Sequence, residues 1–402
     1  MRRRDFLKGG MLSAFIPQSL AFLAEPKSIP ARAALQGGIK QAADLAATPP
    51  MGWNSWNSFH LDIDDPIIRA QAKAMVDSGM KAAGYEYVVI DGGWEGFHDA
   101  QGIFHPDILK FPNMKDLCDY IHGLGLKVGI HDSPGPVTCS GREASYGHEE
   151  QDAETFASWG IDFIKYDWCS GSRVYKPDQM KAAYEKFHKA ILRTGRPILY
   201  SLCQYGMEDV WKWGASVGGN MWRTTGDISN DYYHVAYIGF EQNGLEKYAG
   251  PGHWNNPGQM EIGNGKLTND ECRMHMSLWC MLAAPLFASN DLTKMSPETL
   301  AILTNREVVA VDQDPAGIQG HRVWQEGPRE IWMKPLAGGV KAVGMFNREG
   351  HEMKMTLRFK EVGITGPAKL RDLWAHKDLG SFTGSYTTRV PRHGVVMLKV
   401  EW

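Results

Sequence analysis

Excess charge is the first thing this 402-residue sequence lacks: 43 Lys and Arg stand against 46 Asp and Glu, a net of −3 at pH 7. So even a balance supplies no basic surface, and neither nucleic acid nor an anionic membrane is expected as a partner. A long hydrophobic run is also missing. The apolar stretch from Gly9 to Ala24 is short and broken by Pro17 and Gln18, which excludes a membrane-spanning helix there. Six cysteines are too few for a disulfide scaffold in a chain of this length. No Gly-x-Gly-x-x-Gly follows the first candidate strand, so a dinucleotide-binding domain is not expected. The 14 histidines, His131-x-Ser133 included, have none of the spacings of zinc ligands, and no metal or cofactor is expected. Internal repeats and low-complexity segments are absent as well.

Aromatic residues, by contrast, are abundant: 14 Trp, 14 Tyr and 15 Phe. Most must fill the core. A Trp-rich pocket also suits sugar rings, whose C–H faces pack on indole while their hydroxyls seek polar groups. At the N-terminus, Arg3-Arg4-Asp5-Phe6-Leu7-Lys8 sets twin arginines before a hydrophobic pair, and Ala31-Arg32-Ala33 offers a processing site. The pattern resembles a twin-arginine export signal, with a basic unstructured terminus as the alternative. Residues 1–47 are therefore expected to be export signal and linker, and the protein periplasmic or extracellular. Cys139 and Cys169 follow adjacent candidate strands and are the pair expected to be oxidised there. Cys118, Cys272 and Cys280 fall in helical patterns and read as buried thiols.

From residue 50 to about 315, β-rich runs alternate with amphipathic helical spacing. Strands are expected at Met51–Asn54, 85–91, 127–131, 162–167, 197–202 and 220–223, with weaker signals near 252–255 and 284–288. Helices are expected over 67–83, 114–123, 152–159, 177–194 and 270–282. Eight such alternations imply a (β/α)8 TIM barrel over 48–320. From His321 the pattern changes to short alternating runs parted by Gly and charged turns, which implies a small antiparallel β domain over 321–402.

The segment Asp162-Phe163-Ile164-Lys165-Tyr166-Asp167 ends an apolar strand on a carboxylate, with Lys165 on the same face as Asp167. On that segment alone a structural Lys–Asp pair reads as well as a functional site. Successive strand ends shift the balance: Asp91, His131, Asp167, Cys203-Gln204-Tyr205 and Arg223-Thr224-Thr225-Gly226-Asp227 all fall where barrel enzymes build their active sites. Two carboxylates from such ends, Asp167 and Asp227, are what glycosidic cleavage requires. Arg223, four residues before Asp227, can bind a hydroxyl or hold a carboxylate.

Several motifs together carry a resemblance: Pro50-Met51-Gly52-Trp53-Asn54-Ser55-Trp56, Lys165-Tyr166-Asp167-Trp168-Cys169, Trp222-Arg223-Thr224-Thr225-Gly226-Asp227-Ile228, Ala283-Ala284-Pro285-Leu286 and Val311-Asp312-Gln313-Asp314-Pro315. In these the chain resembles glycoside hydrolase family 27, the retaining α-galactosidases and α-N-acetylgalactosaminidases. The resemblance runs from Thr48 to at least Val323. It implies a (β/α)8 barrel with a C-terminal β-sandwich, Asp167 as nucleophile and Asp227 as general acid/base. It further implies Trp56 as the indole flooring the sugar site, Asp91 at O4 and O6, Lys165 at O3 and O4, and Cys203, Tyr205 and Arg223 near the 2-substituent, with a Cys139–Cys169 disulfide. The family's Asp-Asp pair is Asp91-Gly92 here, its Tyr after the third strand is His131, and its Trp-Asn-Asp-Pro-Asp-Met is Trp254-Asn255-Asn256-Pro257-Gly258-Gln259. These departures spare the catalytic pair and alter the non-reducing end of the pocket. The expected substrate is a galactoside-like oligosaccharide or glycoconjugate. Alternatives are the same chemistry on α-N-acetylgalactosamine, β-L-arabinopyranose or an α-glucosyl unit, or a sugar-binding protein without catalysis.

Overall fold

The computed structural model describes residues 45–402; residues 1–44, which carry the twin-arginine motif, lie outside the described residues. Eight parallel strands follow in chain order: β1 (Met51–Asn54), β2 (Tyr87–Ile90), β3 (Lys127–Asp132), β4 (Phe163–Asp167), β5 (Leu199–Cys203), β6 (Met221–Arg223), β7 (Trp254–Asn256) and β8 (Leu286–Ala288). They pair in the order β8-β1-β2-β3-β4-β5-β6-β7. A parallel bridge between Met260 and Ala288 brings the chain after β7 onto β8 and closes the ring. The sheet is the core of a (β/α)8 barrel.

The alternation within β4 explains how the barrel carries a polar end. Phe163 joins Tyr87, Val89, Leu199, Met221, Trp254 and Phe287 in an inner apolar cluster, while Ile164 and Tyr166 join the outer cluster under the helices. Period two then keeps Lys165 and Asp167 on the inner face, one and two layers above Phe163, at the C-terminal end. Gly129 in β3 makes room for this packing, since a Cβ there would lie 2.7 Å from Val89 Cγ2 and 2.9 Å from Phe163 Cδ1.

The surrounding helices end where their capping chemistry stops them. Asp64 accepts a hydrogen bond from Ile67 N ahead of the helix Asp65–Asp77, and Thr268 and Glu271 form a capping box at Asn269–Met281. Gly160, in the left-handed conformation at φ 95°, closes Glu149–Trp159 just before β4. The helical spacing read across 67–83 is broken in the structure: Gly79 at φ 84° separates Asp65–Asp77 from a 3-10 turn at Lys81–Ala83. The pattern over 177–194 similarly begins as a 3-10 turn, Pro177–Gln179, before the helix Met180–Arg193.

Beyond the barrel lie β9 (His321–Glu326), β10 (Arg329–Pro335), β11 (Lys341–Asn347), β12 (Met353–Arg358), β13 (Pro367–Asp372), β14 (Lys377–Thr383), β15 (Ser385–Val390) and β16 (Val395–Glu401). Six of these form an antiparallel sheet, β9-β10-β11-β16-β13-β14, and β12 pairs with β15. Ile331, Val343, Met345, Leu357, Leu370, Leu398 and Val400 fill the space between the layers. Strands β9, β14 and β15 are harder to read as strands because they place only partly buried residues such as Trp324, Phe382 and Tyr386, and a single fully buried one, Val390, against the core. The domain docks on the helix Asn269–Met281. Trp374 Nε1 donates to Ser277 Oγ at 2.8 Å, His393 Nδ1 meets Glu271 at 2.7 Å, and the buried Lys334 donates to the Cys280 carbonyl at 3.1 Å. Among the described residues no helix is long and apolar enough to cross a membrane.

Candidate active site

The strand ends converge on one pocket, lined by Trp56, Asp91, His131, Lys165, Asp167, Tyr205, Arg223 and Asp227, together with Asn57, Cys139, Ile228 and Gln259. Of the catalytic and sugar-binding residues expected from the sequence, only Cys203 lies outside this lining. Its thiol sits below, in a small cavity that shares Lys165, Arg223 and Gln259 with the pocket, where Arg223 Nη1 approaches Sγ at 3.9 Å.

Asp167 ends β4 at the pocket floor with its side chain 5% exposed. Tyr205 donates its hydroxyl to Oδ1 at 2.5 Å; Lys165 Nζ and His131 Nε2 face Oδ2 at 3.5 and 3.7 Å. Burial alone would favour the neutral acid. These neighbours outweigh it and hold the carboxyl well below the usual range, so Asp167 is ionised. The same contacts, with burial, raise the Tyr205 phenol and keep it a donor. Tyr205 reaches this position from a left-handed backbone, φ 63°, a conformation that costs a non-Gly residue about 1 kcal/mol or more.

Lys165 also donates to Asp91 Oδ2 at 2.8 Å, and Asn54 Nδ2 meets the same oxygen at 2.7 Å. Burial opposes charge on both members of that pair, yet Lys165 stays raised and Asp91 lowered, so both are ionised. Asn54 also accepts from Trp56 N at 2.9 Å, which seats the short helix Trp56–Phe59 and its indole at the pocket wall. On the opposite side Arg223 Nη1 donates to Asp227 Oδ1 at 3.0 Å. Asp227 is 68% exposed, at the mouth of the pocket rather than its floor.

Cys139 and Cys169 are disulfide-bonded, with Cα atoms 5.0 Å apart, and Cys139 forms part of the rim. The thiols of Cys118, Cys203, Cys272 and Cys280 are free and buried. The altered positions behave differently from one another. Gly92 does not need a positive φ, and a Cβ there would make ordinary contacts, 3.5 Å from Trp56 and 3.6 Å from Glu95. Gly258 sits at φ 125°, where any side chain is strained. Asn256 spends its Oδ1 on the Gly258 amide at 2.9 Å.

Sequence reasoning missed Glu95 and Asn57, and read Gln259 only as a departure. Glu95 is wholly buried, with Oε1 3.2 Å from His131 Nδ1, and so lies directly behind the pocket. The signal was present in the sequence as an acidic residue four positions after a strand-end Asp, but only the hairpin Glu95–His98 with Phe104–Pro106 turns it inward. Asn57 donates to the buried Glu261 at 2.7 Å and, with Trp56 and Ile228, joins the pocket to an open polar groove along Asn230, Asn264 and Lys294.

A barrel enzyme with a β-sandwich behind it, an ionised carboxylate on the pocket floor and a second at the mouth belongs to the glycoside hydrolases. Residues 48–314 match the family model described as alpha galactosidase A, and residues 326–400 match the alpha galactosidase C-terminal beta sandwich domain. The chain thus belongs to glycoside hydrolase family 27, the α-galactosidase family, and is a glycoside hydrolase. It is 44% identical over 390 residues to alpha-galactosidase A of Cellvibrio japonicus, covering 91% of this chain and 95% of that one. The crystal structure of alpha-galactosidase I from Mortierella vinacea superposes with a TM-score of 0.85 at 34% identity, covering 89% and 97% of the two chains. A family 27 β-L-arabinopyranosidase from Geobacillus stearothermophilus superposes at 0.81 with 28% identity, covering 90% and 98%.

Proposed function

We propose that the protein is a retaining exo-glycosidase that releases terminal α-D-galactosyl residues, with Asp167 as nucleophile and Asp227 as acid and then base. The observation that carries this reading is the contrast between the carboxylates: one buried and held anionic by Tyr205, Lys165 and His131, the other at the pocket mouth beside Arg223. An Asp167 oxygen attacks the anomeric carbon as its bond to the glycosidic oxygen breaks, and Asp227 delivers a proton to that departing oxygen. Asp227 then removes a proton from water, which attacks the anomeric carbon, and the electron pair of the ester bond returns to Asp167. Trp56 packs on the sugar face, Asp91 and Lys165 take hydroxyls at the buried end, and the exposed mouth lets the leaving group depart toward the groove at Asn230 and Asn264. Proton NMR of the first-formed product tests the stereochemistry: the α-anomer of galactose is expected, and the β-anomer would overturn the double displacement.

The same chemistry on a related sugar is the second reading, and Gly92, His131, Gly258 and Gln259 favour it. β-L-Arabinopyranosides are α-D-galactosides without the C6 hydroxymethyl, so a change around C6 is enough to redirect preference. Aryl glycosides differing only at C2, C4 or C6 decide between the two readings. The Arg3-Arg4 motif supports export of the enzyme, with residues 1–47 as signal and linker. Replacing both arginines by lysine should leave the enzyme in the cytoplasm; unchanged export would count against a twin-arginine route.

A further inference from the structure

Asp167 has one more carboxylate behind it than the reaction uses. Glu95 Oε2 accepts from the Gly93 amide at 2.7 Å and from Ser140 Oγ at 3.0 Å, while Oε1 faces His131 Nδ1 at 3.2 Å. The other ring nitrogen, Nε2, faces Asp167 Oδ2 at 3.7 Å. Trp94 Nε1 donates to the His131 carbonyl at 2.9 Å and fixes the residue from the backbone side. A continuous line therefore runs from the hairpin after β2, through β3, to the end of β4. A buried carboxylate is costly unless it is paired. An ion pair bracing the hairpin would satisfy Glu95, but it would not require the far side of the imidazole to face the nucleophile.

We propose that Glu95 is a positioning residue for Asp167: it holds the His131 ring doubly protonated and aims Nε2–H at Oδ2. This rests on the reading of Asp167 as nucleophile. The charged groups facing His131 are the carboxylates of Glu95, Asp91 and Asp167 and the ammonium of Lys165, with the Cys169 sulfur 3.8 Å away; Asp132, next along β3, also feels the ring but is raised by burial and by Asp152. Burial works against an imidazolium here, yet the three carboxylates prevail and push the ring up to about 10. Asp167 loses its charge when it bonds to the anomeric carbon and regains it when that bond breaks. A fixed imidazolium stabilises the returning electron pair without rearrangement. No proton leaves His131 in either step.

With Glu95 in place the ring keeps its proton until about pH 10. Glu95→Gln keeps a hydrogen-bond acceptor but removes the charge, so the ring should lose its proton at lower pH, which a pH titration of its nitrogen-15 NMR signals reads directly; the fall of activity with pH also reflects Asp227, which must carry a proton to act as acid. At pH 8, kcat on the best wild-type substrate should drop roughly ten- to a hundredfold, less than for a donor that touches the reacting atoms, with KM changing less than about threefold. The double variant Glu95→Gln, His131→Gln should be no slower than His131→Gln alone, because Glu95 acts through the ring. An unmoved ring titration, or single-variant losses that multiply, would reduce Glu95 to a structural brace. If Glu95→Gln does not fold, nitrogen-15 NMR of the wild type, assigned with His131→Gln, tests the same point: both ring nitrogens should carry protons at pH 8, and a neutral ring overturns the proposal. Full activity of Asp167→Asn would instead remove the reading on which it rests.

Discussion

Two regions of this molecule bury acid and base side chains and treat them in opposite ways. At the catalytic end, Asp91, Lys165, Asp167 and His131 face one another, and each is held in its charged form against burial. At the seam between barrel and sandwich, burial dominates. Asp312 is pushed up to about 8 and Lys334 is lowered, although Asp91 and His131 in the site are buried almost as deeply. Lys334 spends its donors on the carbonyls of Cys280 and Asp312, at 3.1 and 3.4 Å, rather than on a carboxylate. Depth therefore does not mark a site. What differs is the number and closeness of the opposite partners: Asp312 and Lys334 act on each other too weakly to offset burial, whereas Asp167 faces Tyr205, Lys165 and His131 within 3.7 Å.

The most severe break of the comparison is Asp167→Asn, which takes the charge from the centre of the catalytic cluster. It should lower kcat by roughly 10⁴-fold or more while the circular dichroism spectrum stays native. Near-normal turnover, with external nucleophiles excluded, would sink the nucleophile assignment. Asp227→Ala comes next. Substrates with poor leaving groups should lose roughly 10²- to 10³-fold, and activated aryl glycosides far less in the glycosylation step. Equal losses on both would contradict the acid role.

At the seam, Asp312→Asn should sharpen the contrast by stabilising the protein. A carboxyl whose pKa is raised on folding binds more protons in the native state, so stability falls as pH rises from about 4 to about 8. The variant should gain roughly 1–3 kcal/mol at pH 8 and little at pH 4, where Asp312 is protonated in both states. Thermal melts at the two pH values check this, and loss of stability at pH 8 would contradict it. The smallest effect is expected of Gly92→Asp. Its Cβ has room, but the new carboxylate lies beside Glu95, so the gain in α-galactoside kcat/KM over the β-L-arabinopyranoside should be about tenfold or less. An unchanged ratio would make the departure at 92 silent for sugar choice.

Much of this was legible in the chain. The barrel strands could be read because parallel strands buried on both faces are continuous apolar runs, and Asp91, His131, Asp167 and Arg223 end or closely follow four of them. The sandwich was less legible, since β9, β14 and β15 set mostly part-buried residues such as Trp324, Phe382 and Tyr386 against its core, a weaker signal than a continuous apolar run. The sequence by itself determined the order of elements, the strand ends at which the polar side chains gather, and the two carboxylates. Period two in a strand and the direction of a parallel barrel fix these locally. Tertiary structure alone decided that Glu95 turns behind His131, that Cys203 drops below the pocket, and that Asp227 stands at its mouth while Asp167 lies on its floor. It also decided that Lys165 keeps its charge while Lys334 is pushed toward losing it, because a pKa is set by neighbours that only folding brings within a few ångströms.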